Sequence, residues 1–251
     1  MKQKKITALI FTLLVIHISG AVQAQDSLQV TAKSNIVKIN LSSLVFKNIS
    51  LQYERKLAKK ISVALNVHAI PFGHLPFLRS IEKAIDDPNV PVNKLSLGSM
   101  GFTPEIRYYL GKKGAFRGFY LAPFLNVTRY KVDLPVNYGN ANTPAIFFGN
   151  IAATTGGLLL GAQWKLGKSI YLDWWILGPN YGGARGDLNF NSPLSVIEQD
   201  ELRTEIDDLK SNESFDTVID SYSVNDTGAF IHVKGPWAGL RGLGLNLGIQ
   251  F

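Results

Sequence analysis

Apolar and polar residues alternate along most of this chain with the period of two that belongs to β-strands, where successive side chains point to opposite faces. In the closing segment, Leu243, Leu245, Leu247, Ile249 and Phe251 form one face, while Gly244, Asn246, Gly248 and Gln250 form the other. Earlier, Val37, Ile39 and Leu41 alternate with Lys38, Asn40 and Ser42, and Ile49, Leu51 and Tyr53 with Ser50, Gln52 and Glu54. A third strand is predicted from Ile61 to Phe72, with Ile61, Val63, Leu65, Val67 and Ala69 on its apolar face. A fourth, about Gly98 to Leu110, sets Phe102, Pro104, Ile106, Tyr108 and Leu110 against Thr103, Glu105, Arg107 and Tyr109. The fifth, Phe119 to Asp133, alternates less cleanly, and Pro123 within it removes a ladder donor, which predicts a bulge or local irregularity. The sixth runs from about Ile151 to Leu166 and the seventh begins at Ile170, so the set totals eight.

Short links (Ala58 to Lys60, Gly111 to Gly118, Gly167 to Ser169) alternate with long ones (Gly73 to Leu97, Leu134 to Asn150, Pro193 to Thr227). Transmembrane barrels show this alternation between their two ends. Most of the segments also reach the roughly 9 to 11 residues needed to cross a bilayer at a tilt. The expected fold is therefore all-β: an eight-stranded antiparallel transmembrane β-barrel with helical segments in its long external loops. Periodicity alone does not say which face is inside, so a soluble lipocalin-like barrel that carries a ligand stays open. Helical spacing recurs at Phe77, Leu78, Ile81, Ala84 and Ile85, and again at Ile197, Leu202, Ile206 and Leu209 after Pro193. Interfacial aromatic belts are expected from Tyr53, Tyr108, Phe119, Trp164 and Phe251 at one rim, and from Phe72, Tyr130, Phe190 and Trp237 at the other.

Residues 1–24 read as a cleaved secretory signal: Lys2, Lys4 and Lys5, an apolar run from Ile6 to Ile18, then Val22-Gln-Ala24. Residues 25–251 then form one barrel domain, and the expected location is the bacterial outer membrane. No later stretch is apolar enough for a spanning helix, so any crossing is by strands. The formal charge of +7 falls to about +4 without the three signal lysines. Acids cluster in the long loop at about 192–227, where Glu198, Asp200, Glu201, Glu205, Asp207, Asp208, Glu213, Asp216, Asp220 and Asp226 face only Arg203 and Lys210. The basic remainder has no Lys/Arg cluster interleaved with stacking aromatics, so nucleic acid is not an expected partner.

The chain has no cysteine, which removes disulfides and thiolate chemistry. His68, His74 and His232 have neither a metal-ligand spacing nor a nearby Gly-x-Ser-x-Gly, so no catalytic, cofactor-binding or metal residues are assigned. Arg185-Gly-Asp187 is a chance-level tripeptide, and Gly178 to Gly183 reads as a bulge or bend. In a membrane barrel, Lys38, Glu54, Glu105, Arg107, Lys165 and Asp173 all fall on the inward face, which predicts a mutually neutralising interior charge network. Phe251 is the expected signal for the outer-membrane assembly machinery. Outer-membrane lipid is the other expected partner, with an extracellular ligand or protein at the acidic loop. A lipid-modifying enzyme of deacylase or acyltransferase type is the competing functional class, and would need Ser, His and an acid assembled in space.

The run Phe102-Thr-Pro-Glu-Ile-Arg-Tyr-Tyr-Leu-Gly111, with Gly118-Phe-Tyr-Leu-Ala-Pro-Phe124 and Arg129-Tyr130, resembles a family of small bacterial outer-membrane barrels, domain-of-unknown-function family 3575. That family in turn is similar to OmpA-type barrels. Leu51 to Arg55, Gly161 to Gly167 and Leu240 to Leu245 add to the resemblance. It implies an architecture and a location but no reaction, and the long acidic loop looks like an addition to the family pattern.

Overall fold

The computed structural model describes residues 33–74, 95–138, 145–211 and 218–251. The expected signal and the helical spacing at Phe77 to Ile85 lie outside these residues. The order is β1 (Asn35–Asn40), a 3-10 turn (Ser42–Phe46), β2 (Ile49–Lys56), β3 (Ile61–His74), β4 (Ser96–Tyr109), β5 (Gly118–Val136), β6 (Ala145–Lys165) and β7 (Ile170–Leu177). Then come β8 (Pro179–Asn191), helix α1 (Val196–Ser211), β9 (Ile219–Asn225), β10 (Gly228–Leu240) and β11 (Gly244–Gln250).

Strands β1 to β7 pair in sequence, β7 pairs with β11, and β11 pairs with β1, closing a ring of eight antiparallel staves. Closure joins the two ends of the described chain, with Ile36 opposite Gln250 and Asn40 opposite Asn246. The apolar stripe of each strand points outward. Val37, Leu51, Leu65, Phe102, Leu125, Leu158, Trp174 and Leu247 are all exposed, whereas the alternate positions are buried. On β5 this outward band runs from Phe119 to Val127. At a rise of about 3.3 Å per residue and a tilt near 40° it stands about 23 Å tall.

Two staves are broken at the same level. Gly178 separates β7 from β8, Arg241 to Leu243 separate β10 from β11, and the Arg241 N–H donates to the Gly178 carbonyl at 2.8 Å. A Cβ on Gly178 would lie 2.6 Å from the Arg241 carbonyl oxygen, so the breaks fit together only with glycine there. Beyond the break, β8 stays on β6 and β10 pairs with β8, while β9 covers part of the outer edge of β10. These strands and the upper parts of β5 and β6 form a sheet that rises above the ring.

On this sheet the face continuous with the barrel interior becomes apolar. Val136, Phe147, Leu188, Ala229, Ile231 and Val233 pack with Leu202, Ile206 and Leu209 of α1 into a separate core. The helix starts with a reciprocal cap. The Ser195 N–H and hydroxyl donate to the Glu198 carboxylate, and the Glu198 N–H donates to Ser195 Oγ. Those bonds hold the Glu198 carboxyl below its ordinary range. The described part of the acidic segment is thus a folded crown rather than a solvated loop, with Asp200, Asp207 and Asp208 exposed on α1.

Several expectations change. Ile197, placed on the apolar helical period, is 72% exposed because it precedes the turn that meets the sheet. Pro123 causes no bulge, since β5 keeps one register with β4 and with β6, but the expected local irregularity is present: the ladder with β4 skips Ala122 and Pro123. Tyr130, Phe190 and Trp237 do not form an outer aromatic belt. They share the inward face, where Tyr130 stacks on Trp237 with centroids 5.4 Å apart and Phe190 packs on Phe147 at 5.7 Å. Phe72 does face outward, with the Lys131 ammonium 4.5 Å from its ring centre.

Two outcomes test the crown. Ile206→Ala should remove about 2–5 kcal/mol of local packing and accelerate proteolysis of α1 while leaving barrel resistance unchanged. Burial and a 2.6 Å hydrogen bond to Asp207 push the Tyr222 phenol up to about 12. Its stabilisation is therefore full below the ordinary tyrosine value of about 10 and disappears as pH rises through the folded value. Proteolysis of α1 should increase across that window, and Tyr222→Phe should flatten the profile.

Candidate functional site: the barrel interior

The interior is built in layers. At the end with the short turns, Ile36, Tyr109, Phe116, Tyr120 and Tyr171 form an apolar floor. Phe116 reaches it because its turn residue adopts φ 73°, while the Ala115 N–H donates to the Lys59 carbonyl at 2.7 Å. Gly161 is required here as well, since a Cβ would sit 2.3 Å from the Tyr120 ring.

Above the floor lies the ion layer. Lys38 Nζ is 2.5 Å from Glu54 and 2.5 Å from Asp173. Arg107 Nε is 2.5 Å from Glu105, and its Nη1 is 2.7 Å from Asp173 and 3.2 Å from Glu54. Arg107 Nη2 donates to Gln52 at 2.9 Å, and its guanidinium lies 4.4 Å from the Tyr120 ring centre. Tyr109 and Tyr120 donate their hydroxyls to Glu54 and Asp173, each at 2.7 Å. Ser62 also donates to Glu54, and Arg241 pairs with the second oxygen of Glu105. Lys38, Arg107 and Arg241 thus balance Glu54, Glu105 and Asp173, each charge meeting an opposite one at hydrogen-bond distance. Neutrality makes such burial tolerable, because an isolated buried ion costs several kcal/mol.

Five of the six residues placed on the inward face therefore meet: Lys38, Glu54, Glu105, Arg107 and Asp173. Lys165 does not. It is exposed at the end of β6, with its ammonium 5.9 Å from the Tyr171 ring centre, because the strand stops there and the side chain swings past the rim to water. Arg241, Gln52, Gln163 and the two tyrosines were not singled out from the sequence. Gln52, Gln163, Tyr109 and Tyr120 share the inward parity and were findable that way, whereas Arg241 lies in a break with no periodicity.

Above the ion layer is a cavity of about 540 Å³ whose lining includes Asn66, His68, Asn126, Trp175, Trp237 and Arg241. His68 Nε2 is 3.3 Å from Thr128 Oγ1 and has no carboxylate partner. His74 Nδ1 is 3.2 Å from the Leu95 carbonyl oxygen. His232 pairs with Asp187 at 2.7 Å on the outward face, and Ser221 stands opposite it in register. No cluster of three metal-ligating side chains occurs among the described residues. Phe251 is exposed and its backbone N–H donates to the Asn35 carbonyl at 3.0 Å.

A family model described as protein of unknown function (DUF3575) matches residues 10–182. The chain belongs to that family. The comparison with curated proteins finds no match. The DUF3575 match includes Lys38, Glu54, Glu105, Arg107 and Asp173 but ends within β8, so α1, β9, β10, β11 and Arg241 fall outside it.

Removing Arg107 would leave three buried carboxylates facing two cations. Arg107→Ala should lower stability by about 3–5 kcal/mol, read as a lower urea midpoint, whereas Lys165→Ala should stay within about 0.5 kcal/mol of the parent. Equal effects would contradict the sealed layer.

Proposed function

We propose that this chain is an integral outer-membrane β-barrel whose role is surface interaction rather than catalysis or conduction. The observation that carries the reading is the outward apolar band around all eight staves, wrapped about an interior of neutralised charge. Water would not favour that arrangement. A lipocalin-type carrier would have its apolar stripe inside, but here that side holds lysine, arginine and carboxylates. Lipid is the solvent that suits such a surface. The band height of about 23 Å, from strand rise and tilt, is close to the roughly 25 Å of known barrel membrane faces.

The ion layer and its tyrosine floor fill the lower lumen, which argues against an open pore. The specificity then resides in the crown of α1, β8, β9 and β10, an acidic surface suited to an extracellular ligand or protein. Outer-membrane lipid and the assembly machinery are its further partners, with Phe251 as the recognised aromatic end.

The test is fractionation with surface proteolysis. The chain should remain in urea-washed membranes, require detergent for release, and migrate differently on gels before and after heating. Protease added to intact cells should cut within the α1 to β9 segment. Recovery in the soluble periplasmic fraction would sink this reading.

A further inference from the structure

The barrel wall is incomplete at one place. Strand β1 ends at Asn40 and, on its side away from β2, pairs only with β11, while β9 pairs with β10 no further toward the ring than Val233. From Gly235 to Leu240, β10 therefore has a strand partner on its β8 side only, and across the interruption stands the 3-10 turn Ser42–Phe46. The 540 Å³ cavity reaches this gap, since Ser43, Phe46, Leu240 and Leu243 line it together with interior residues. The lips are apolar and largely solvent-exposed: Leu240 is 63% exposed, Leu243 76% and Phe46 56%.

The cavity's inner end has the opposite character. Trp175 is 5% exposed, and its indole Nε1–H has no hydrogen-bond partner. The guanidinium of Arg241 lies 4.0 Å from the Trp175 ring centre, with one nitrogen paired to Glu105 and the other, Nη2, buried and unpartnered. Buried donors are normally satisfied, so two of them beside one cavity call for an acceptor. Arg241 already shares its charge with Glu105, so an acceptor with a single negative charge unbalances the layer less than a phosphate dianion would.

We propose that this cavity binds the head of a single-chain carboxylate amphipath, a fatty acid in chemical class, through Arg241 Nη2 and Trp175 Nε1, with its chain leaving between Leu240, Leu243 and Phe46. A volume of 540 Å³ is within the range of small-molecule sites and suits a head with part of one chain. The membrane reading enters only in the destination of the tail, which would lie in lipid at the level of the outward band. The polar cavity and its greasy exit then have one explanation.

Two of the four tryptophans, Trp175 and Trp237, line the cavity and can report occupancy. In detergent-folded Trp164→Phe/Trp174→Phe protein, palmitate brominated at carbon 2 should quench emission saturably. Palmitate brominated at its terminal carbon should quench several-fold less, since that end lies outside. The methyl ester of the 2-bromo acid, which lacks the charge, should bind at least ten-fold more weakly. Asn180→Phe, which fills the cavity from β8, should abolish saturation while retaining the heat-dependent gel shift. If that variant does not fold, the acid and ester comparison on the parent background decides. Non-saturable quenching, or equal quenching by both bromine positions, would mean simple partition into the micelle and overturn the proposal. Solubility without detergent would remove the membrane reading and leave the quenching result to stand or fall alone.

Discussion

Five ionised groups are sealed within a barrel too narrow to hydrate them, a sixth, Arg241, completes the set from the edge of the cavity, and the remaining architecture accommodates that fact. Lys38, Arg107 and Arg241 can be buried because Glu54, Glu105 and Asp173 approach from other staves, and because two tyrosines and two glutamines fill the remaining hydrogen-bonding positions. Once the lumen is committed to charge, the strict period of two sends every apolar partner outward. The outward band and the ion layer are thus two sides of the same alternation.

The same strands reverse that assignment higher up. On β6, inward Gln163 belongs to the ion layer, while inward Phe147 and Ala145 belong to the core under α1. Outward Leu158 gives way to outward Asn150, with the apolar Phe148 and Ile146 exposed again beyond it. The reversal needs no change of register, only a change of residue type along each face. It gives one continuous sheet an inner face that is charged within the ring and apolar under α1. The matched breaks at Gly178 and Arg241 let β8 and β10 diverge from the ring without losing their pairing to each other.

This division explains what was legible in the sequence. Eight strands, their inward faces and the period of α1 could be read because each depends on local spacing. The inward positions of Tyr130, Phe190 and Trp237 could not, because a large aromatic suits a rim or a core equally well and their crown environment is set by α1 and β10 far along the chain. Lys165 has the parity of the ion layer but not its depth, since parity does not mark where a strand ends. Arg241 has neither, because an irregular break has no period, and only the fold brings it to Glu105 across the lumen.

The ion layer also bears on how the ring closes. Pairing β1 with β11 joins Ile36 to Gln250, almost the full length of the chain apart, and such distant contacts form late and slowly. Until then the contacts of Lys38 with Asp173 and of Arg241 with Glu105 lack the ring that holds their staves together. A slip of one residue would turn the inward side chains of a stave to the outside. A slip of two would restore the faces but displace Lys38 and leave charges unmatched in a space without water. The salt-bridged lumen therefore acts as proofreading for closure: of the ways the first and last staves could meet, only one ends electrically neutral.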